Sequence, residues 1–280
     1  MIPKLESRAG TTSVPVSLGN GRGQQWAGWL QRSVLPPISF LMIISIGWEV
    51  MARSLHSMLI PGLSEIALEV RRVAVTEGAF VQIGLTLERI VIGCSLAFVV
   101  SLVVGIAAGR SRLLEAFLRP GIILGLTIPG LVWALLCVIW FGVSWRSPVV
   151  ALGLGVAPAL TVNVIQGVRA VDYSLIEMAH IFHIRPLDRL FHLWLPAMAP
   201  FLLSGFRMGF SLAWKVIVLV EIFGMSSGVG YQLNQEFSEQ NVAGVLAWTI
   251  VFGAVMGVIE YGLLQILERR ITRWRRVATV

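Results

Sequence analysis

Residues 174–196, SLIEMAHIFHIRPLDRLFHLWLP, form a polar, helix-capable segment between long apolar runs. Apolar runs precede this segment, and two more follow it. A hydrophobic chain that keeps an amphipathic insert at this position is expected to use it as a docking surface. The pattern therefore favours a membrane subunit that is driven by a partner protein.

The apolar runs have the length of membrane-spanning helices. The chain is 56% hydrophobic and 13% charged, whereas soluble domains carry about 25% charged residues. A spanning helix needs roughly 20 mostly apolar residues, whereas barrel strands have about 10. Six segments qualify: 34–52, 86–109, 120–142, 148–167, 199–223 and 242–266. We therefore expect an all-α membrane protein with six transmembrane helices.

The basic residues indicate a topology. The net charge is +7, but the positive-inside rule accounts for it better than nucleic-acid binding does. Segments predicted to be cytoplasmic hold Lys4, Arg8, Arg22, Arg32, Arg110, Arg112, Arg119, Arg169, Arg185, Arg189, Arg269, Arg270, Arg273, Arg275 and Arg276. Segments predicted to lie outside hold Arg53, Arg71, Arg72 and Arg146. Both termini and the insert are therefore expected in the cytoplasm.

Three regions follow from this topology. Residues 1–33 are expected to be a cytoplasmic tail, residues 34–268 a transmembrane domain with the insert at 172–196, and residues 269–280 a basic cytoplasmic tail. Residues 57–82 hold a short amphipathic pattern and are expected to form a helix at the outer surface. The segment GMSSGVGYQLNQEFSEQN, which lacks Lys and Arg, fits an outer loop.

Two spans contain proline. Pro129, followed by glycine, lies in the middle of the third span, where it removes a hydrogen bond and bends the helix. Pro158 is expected to have a similar role in the fourth span. Pro129 is interpreted either as a packing bend or as a bend that lines a transport path.

The fifth span carries buried charge. Arg207, Ser211 and Lys215 recur at i, i+4 and i+8 and therefore follow one stripe of the helix. Charged residues in spans usually face the bundle interior or water. One interpretation is snorkelling with structural pairing; the other is a cationic lining that attracts an anionic solute. Glu221 lies on a different face from Lys215.

The insert itself predicts a pair of short helices. Ser174 and Glu177 have the spacing of a capping box. The first helix is expected to end at Arg185-Pro186, and Pro196 is expected to end the second. An apolar stripe of Leu175, Met178, Ala179 and Phe182 can enter a groove on another protein. The alternative is a surface helix that rests on its own bundle.

The stretch EMAHIFHIRPLDRLFHLWLP resembles the EAA loop of ABC importer permeases. Glu177, Ala179 and Leu195-Pro196 match that pattern, Met178 replaces an alanine, and His183 stands at the usual glycine position. VIWFG at 138–142, GFRMGFSLAWKV at 205–216 and VEIFG…GVGYQL resemble permeases of the nitrate, sulfonate and taurine importer group. The likeness covers about residues 80–268.

The resemblance implies a type I ABC importer permease of the bacterial inner membrane. In this family two permease chains line one path, two ATP-binding-cassette subunits receive the EAA loops, and a periplasmic binding protein delivers the solute. The coupling contacts implied here are Glu177, Met178, Ala179, Phe182 and His183. The path residues expected are Arg207, Ser211, Lys215 and Pro129. Membrane lipid is expected around the bundle. The solutes of the group are sulfonates, taurine and nitrate.

The chain is not expected to be an enzyme. Its two lysines, Lys4 and Lys215, do not lie in a G-x-x-x-x-G-K-[ST] motif, so ATP and Mg²⁺ are expected on the partner ATPase and no cofactor on this chain. His180, His183 and His192 lack nearby cysteines or carboxylates that would complete a metal site. A secondary transporter or channel that acts alone is the alternative function.

Overall fold

The computed structural model describes residues 35–55, 59–75, 77–264 and 266. Within these ranges the α-helices are α1 Leu35–Leu55, α2 Leu63–Val75, α3 Glu77–Arg110, α4 Arg112–Thr127, α5 Gly130–Phe141, α6 Arg146–Arg169, α7 Tyr173–Ile181, α8 Pro186–Arg189, α9 Leu195–Gly224, α10 Val229–Ser238 and α11 Val242–Gly257. Leu190–Trp194 and Val258–Leu264 are π-helical. No strand occurs in these ranges, which confirms the all-α prediction. Both predicted tails lie outside the described residues.

The apolar segments form helices that could span a membrane. Among the described residues, four helices are long and apolar enough to span a bilayer: α1, α3, α6 and α11 with its π-helical extension. Two bent pairs, α4 with α5 and Phe191–Gly224 with α10, bring the number to six if each pair is one span. Each of the six predicted spans therefore coincides with a helix or a bent pair.

Among the described residues, helix α1 forms a unit of its own. Pro36 and Pro37 lie in its first turn, where a missing N–H costs little. Near its end, the Arg53 Nε and Glu49 Oε1 atoms form an i, i+4 ion pair at 2.7 Å. The predicted first span thus forms a helix that extends three residues beyond the expected 34–52.

The second unit, residues 57–280, is built around α6, which packs along both α3 and α9. Small residues make these contacts close. A Cβ atom at Gly93 would collide with Leu152, and one at Gly105 would collide with Val164. In lipid, close packing of backbones replaces the hydrophobic effect as the source of helix association. The glycines of α3 therefore let α6 approach it closely.

The third predicted span is broken. It begins at Arg112, eight residues earlier than expected, and α4 and α5 meet at Ile128-Pro129 with a bend of 97°. The pair still connects both ends of α6: Glu115 is ion-paired with Arg169, and the Ser147 hydroxyl donates to the Gly142 carbonyl (2.6 Å). The predicted bend at Pro129 is confirmed as a complete break.

The other interior proline behaves differently. Helix α6 runs without interruption from Arg146 to Arg169 through Pro158, so the expectation that Pro158 acts as Pro129 does is wrong. A Cβ atom at Gly125 of α4 would collide with the Pro158 ring. The ring therefore packs against a neighbouring helix and does not break its own.

Helix α2 confirms the predicted amphipathic helix and shows what its apolar stripe contacts. Ile66 and Val73 are buried, and α2 packs against α11. The Arg72 guanidinium also pairs with Glu236 of α10 at 2.7 Å. Helix α10 occupies most of the segment that was expected to be a loop, so that expectation is wrong.

Candidate functional site

The insert begins at a cap that differs from the predicted one. Asp172, not Ser174, is the N-cap of α7, and its carboxylate accepts a hydrogen bond from the Ser174 N–H (2.9 Å). Hydrogen bonds from the Ser174 backbone and side chain lower the pKa of Asp172. The capping box of Ser174 with Glu177 is therefore wrong, because the helix starts one residue before Ser174.

The first helix of the insert also ends earlier than expected, at Ile181. The Ile184 N–H donates to the Ala179 carbonyl (3.1 Å) and the His183 N–H donates to the His180 carbonyl (3.1 Å). These two bonds form a Schellman motif, and His183 takes its left-handed position with φ of 52°. His183 thus occupies the left-handed position at which the EAA loop pattern has glycine.

The second half of the insert does not form a separate helix. Helix α8 passes through the π-helical turn Leu190–Trp194 directly into α9. Pro196 lies in the first turn of α9 and does not end a helix, contrary to expectation. A proline ring clashes with the carbonyl four residues before it in an α-helix. A wider turn at this point relieves that clash and lets the chain continue.

The insert presents apolar side chains to its surroundings. Leu175, Met178, Ile181 and Phe182 are exposed, with Phe182 at 72%. Glu177 and His183 are exposed as well. Ala179 is buried, so four of the five predicted coupling residues face outward and the fifth does not.

Ala179 lies on the bundle side of α7. On this side Ile176 packs against a cluster formed by Val164, Val168, Val171 and Met198. These residues belong to the end of α6 and the start of α9, together with the connection into α7. The insert is therefore seated on the two helices that it joins and has an exposed apolar face on the other side.

The predicted path residues lie apart from one another. The Arg207 guanidinium stacks over the Tyr261 ring at 5.6 Å, and the Lys215 ammonium lies 5.6 Å from the centre of the Trp214 ring. Eight residues separate the two cations, or about 12 Å along the helix. Ser211 between them is half-buried.

The break at Pro129 lies beside the turn of α9 that carries Lys215. A Cβ atom at Gly130 would come within 2.9 Å of the Val216 side chain. Trp133 of α5 and Trp214 of α9 both have buried indole N–H groups without a hydrogen-bond acceptor among the described residues. The structure thus places unsatisfied donors near the break, a feature that the sequence pattern did not reveal.

The sequence pattern also did not reveal a buried ion network, which lies at the end of α9 far from the insert. Glu221 is fully buried, and the Arg89 guanidinium of α3 donates to its carboxylate at 2.6 Å. The Thr86 hydroxyl (2.9 Å) and the Gly230 N–H (2.9 Å) donate to the same carboxylate. Opposite charges in two predicted spans were the available signal, because a charge within a span usually has a partner.

The network fastens the turn between α9 and α10 to α3. Arg89 donates to the carbonyl (2.8 Å) and hydroxyl (2.7 Å) of Ser227, and the Val229 N–H donates to the Thr86 hydroxyl (2.9 Å). Gly228 has a φ of 104°, and a Cβ atom there would collide with the Glu221 carboxylate. The carboxylate is committed to internal donors, so the network is structural and is not a solute site.

Metal binding finds no support in the arrangement of side chains. Across residues 35–55, 59–75, 77–264 and 266, no three His, Cys, Asp or Glu side chains are grouped so that they could hold an ion. His180, His183 and His192 are all exposed.

Sequence comparison identifies relatives across most of the chain. A family model described as a binding-protein-dependent transport system inner membrane component matches residues 97–273. The putative aliphatic sulfonates transport permease protein SsuC of Bacillus subtilis is 30% identical over 257 residues, which cover 90% of both chains. The taurine transport system permease protein TauC of Escherichia coli is 27% identical and covers 91% of this chain and 95% of its own.

A solved structure shares the fold. A chain of the MetNI methionine ABC transporter in an inward-facing conformation superposes with a TM-score of 0.58 at 18% identity. The superposition covers 71% of this chain and 98% of the MetNI chain. At this identity the similarity establishes the architecture, which is that of a type I importer permease.

Proposed function

Because this chain belongs to the family of binding-protein-dependent transport system inner membrane components, it is a permease subunit of an ABC importer, and we propose that it imports small organic anions of the sulfonate class. The aliphatic sulfonate and taurine permeases to which it is similar over about nine-tenths of its length support this substrate class. The complete importer contains two copies of this chain, two ATPase subunits and a periplasmic binding protein. ATP and Mg²⁺ bind to the ATPase subunits.

The insert is the proposed docking site for the ATPase. Its exposed apolar side chains, Met178 and Phe182 among them, are the observation that carries this assignment, because a solvated loop would not expose them together. Glu177 and His183 flank this face. Ala179, on the buried side, seats the insert on α6 and α9, so a displacement of the insert passes directly to both helices.

The orientation follows from the same assignment. An ATPase acts from the cytoplasm, so the insert and both termini lie on the cytoplasmic side of the inner membrane. The ends of α9 and α11 near Gly224 and Val242 then face the periplasm, where a binding protein docks.

The solute path is proposed to pass the break between α4 and α5. Lys215 is exposed and Arg207 is half-buried, so α9 presents positive charge along one stripe with Ser211. Pro129 and the indole N–H groups of Trp133 and Trp214 lie near the Lys215 end of that stripe. Hydrogen-bond donors and cations are the groups that recognise a sulfonate oxygen.

A reconstituted transporter tests this function. The chain is coexpressed with its ATPase, placed in liposomes with the binding protein, and supplied with radiolabelled ethanesulfonate. We expect uptake that requires ATP, and we expect Glu177→Arg to weaken ATPase copurification roughly tenfold or more, because it reverses a charge at the interface. Glu239→Arg, an exposed acid at the end of α10, is the matched control and leaves copurification unchanged.

The same assay separates the two parts of the proposal. Arg207→Met combined with Lys215→Met is expected to reduce uptake about tenfold while the ATPase still copurifies. Normal uptake by this variant would remove the anion path from the proposal. Uphill transport by the chain alone, without any ATPase, would establish the stand-alone transporter in place of the importer.

A further inference from the structure

A strongly basic pocket opens at the end of the bundle that carries the insert. It has a volume of about 660 Å³ and is lined by Arg110, Arg112, Arg119 and Arg169, with Glu115 as its carboxylate. Glu115 is paired with Arg169, and Arg110 lies 5.2 Å from the centre of the Trp194 ring. Among the described residues, Arg112 and Arg119 have no ion-pair partner. Two guanidinium groups therefore remain available for an anion.

A separate apolar groove lies further along the same three helices. Its volume is about 380 Å³, and its walls are Leu96–Val104 of α3, Leu118–Ile122 of α4 and Val150–Thr161 of α6. Leu118 of the groove is adjacent to Arg119 of the pocket. The one hydroxyl in the wall, Thr161, donates to the Ala157 carbonyl of its own helix (2.7 Å). The groove thus offers an occupant only apolar contacts.

Two glycines keep the groove open. A Cβ atom at Gly121 would meet nothing within 4 Å, and one at Gly153 would only touch Leu96 at 4.0 Å. At Gly93, Gly105 and Gly109 of α3, by contrast, the space of a Cβ atom is filled by side chains of α6. The space at Gly121 is therefore not closed by the chain itself.

The dimensions match one lipid leaflet. From Val104 to Leu96 the groove rises eight residues along α3, or about 12 Å, and one leaflet of the hydrocarbon core is about 15 Å thick. The basic pocket lies where the headgroup would be, on the side where the basic loops are concentrated. Basic pockets between transmembrane helices on this side suit anionic headgroups, and arginine binds phosphate with two parallel hydrogen bonds.

We propose that this slot, defined by the basic pocket and the apolar groove, binds an anionic phospholipid. The phosphate interacts with Arg112 and Arg119, and one acyl chain lies in the groove beside Gly121. The lipid fills the space between α4 and the α3–α6 pair next to the insert. This inference does not depend on the identity of the transported solute.

A lipid titration of the purified full-length protein tests the proposal. The protein is stripped of lipid in detergent and titrated with phosphatidylglycerol or with phosphatidylcholine of the same acyl chains, and binding is counted by native mass spectrometry. We expect preferential binding of phosphatidylglycerol. Arg112→Gln with Arg119→Gln is expected to reduce that preference about 30-fold, since each basic residue near the surface contributes roughly fivefold.

Matched variants exclude general effects of charge and folding. Arg71→Gln with Arg146→Gln removes two exposed arginines away from the slot and should leave the preference intact. Gly121→Phe should fill the groove and weaken binding of both lipids, while the pocket keeps its arginines. Circular dichroism and gel filtration establish that each variant is folded.

Three outcomes would overturn the proposal. The first is an unchanged preference in the Arg112→Gln, Arg119→Gln variant. The second is displacement of the lipid by millimolar inorganic phosphate or ethanesulfonate, which would assign the pocket to a free anion. The third is dissociation of the permease dimer by Gly121→Phe with lipid preference intact, which would assign the groove to a second copy of this chain.

Discussion

The insert and the buried ion network lie at opposite ends of α9 and solve different problems. The insert exposes Phe182 and Met178. Its backbone hydrogen bonds close the C-terminal end of its own helix α7. The network buries Glu221 completely and gives its carboxylate three donors within the chain, the Thr86 hydroxyl, the Arg89 guanidinium and the Gly230 N–H. The insert leaves apolar side chains uncovered among the described residues, whereas the polar groups of the network are paired within the chain. The proposed docking of the ATPase concerns only the first of these two ends.

The largest effect is expected from breaking the network. Glu221→Ala leaves the Arg89 guanidinium without its carboxylate and removes the acceptor of the Gly230 N–H. Loss of one partner of a buried pair costs about 3–5 kcal/mol. We expect a markedly lower unfolding temperature in detergent, measured by tryptophan fluorescence during heating.

A double variant sharpens this prediction. Arg89→Met combined with Glu221→Leu removes both charges, and it should recover much of the lost stability because no charge remains buried and unpaired. Glu49→Ala, which breaks the exposed pair with Arg53 in α1, is the control and should change stability by less than about 1 kcal/mol. Equal losses in the single and double variants would show that hydrogen bonds to the carboxylate outweigh the ion pair.

An intermediate effect is expected at the two left-handed positions, one in each region. Gly228→Ala forces a Cβ atom into the Glu221 carboxylate at a φ of 104°, and such strain costs about 1–3 kcal/mol. His183→Gly should have the opposite sign, because glycine adopts a positive φ without steric cost. Thermal unfolding measures the first change, and amide exchange in α7 measures the second. A stabilised Gly228→Ala protein would contradict the geometry of the turn.

The smallest effect is expected at the cap of the insert. The pKa of Asp172 is lowered in the folded chain, so the cap stabilises α7 above the ordinary pKa of an aspartate and loses this contribution as the pH falls through the folded value. Exchange protection of the Ser174 amide should therefore fall only in that acidic range. Asp172→Asn, which caps without titrating, should show no such loss.

Two prolines show how much of the structure the sequence could predict. Pro129 was predicted to bend its span, and it does, because a proline removes a backbone donor whatever surrounds it. Pro158 was expected to act alike, but α6 passes through it. The difference lies in the neighbours: Gly125 accepts the Pro158 ring, whereas Pro129 begins a new helix against Val216. Local chemistry determines that a proline perturbs a helix, and packing determines by how much.

The insert shows the same limit. Its helical character, its polarity between apolar runs and its resemblance to a coupling loop were all readable, because they depend on residue order. Its cap, its end and its continuation into α9 were not, since Asp172 and Ser174 are both acceptable caps and the tertiary position of the helix decides between them. That four predicted coupling residues face outward and Ala179 does not also depended on the bundle beneath.

The sequence by itself determined that this chain is helical and carries segments long and apolar enough to span a membrane, because hydropathy and length act locally along the chain. Only the tertiary structure decided that Arg89 meets Glu221 and that a basic pocket and an apolar groove are lined by the same three helices. Arg89 and Glu221 are 132 positions apart in the chain and come into contact only when α3 packs against α9. No periodicity within one helix encodes which face of another it will meet.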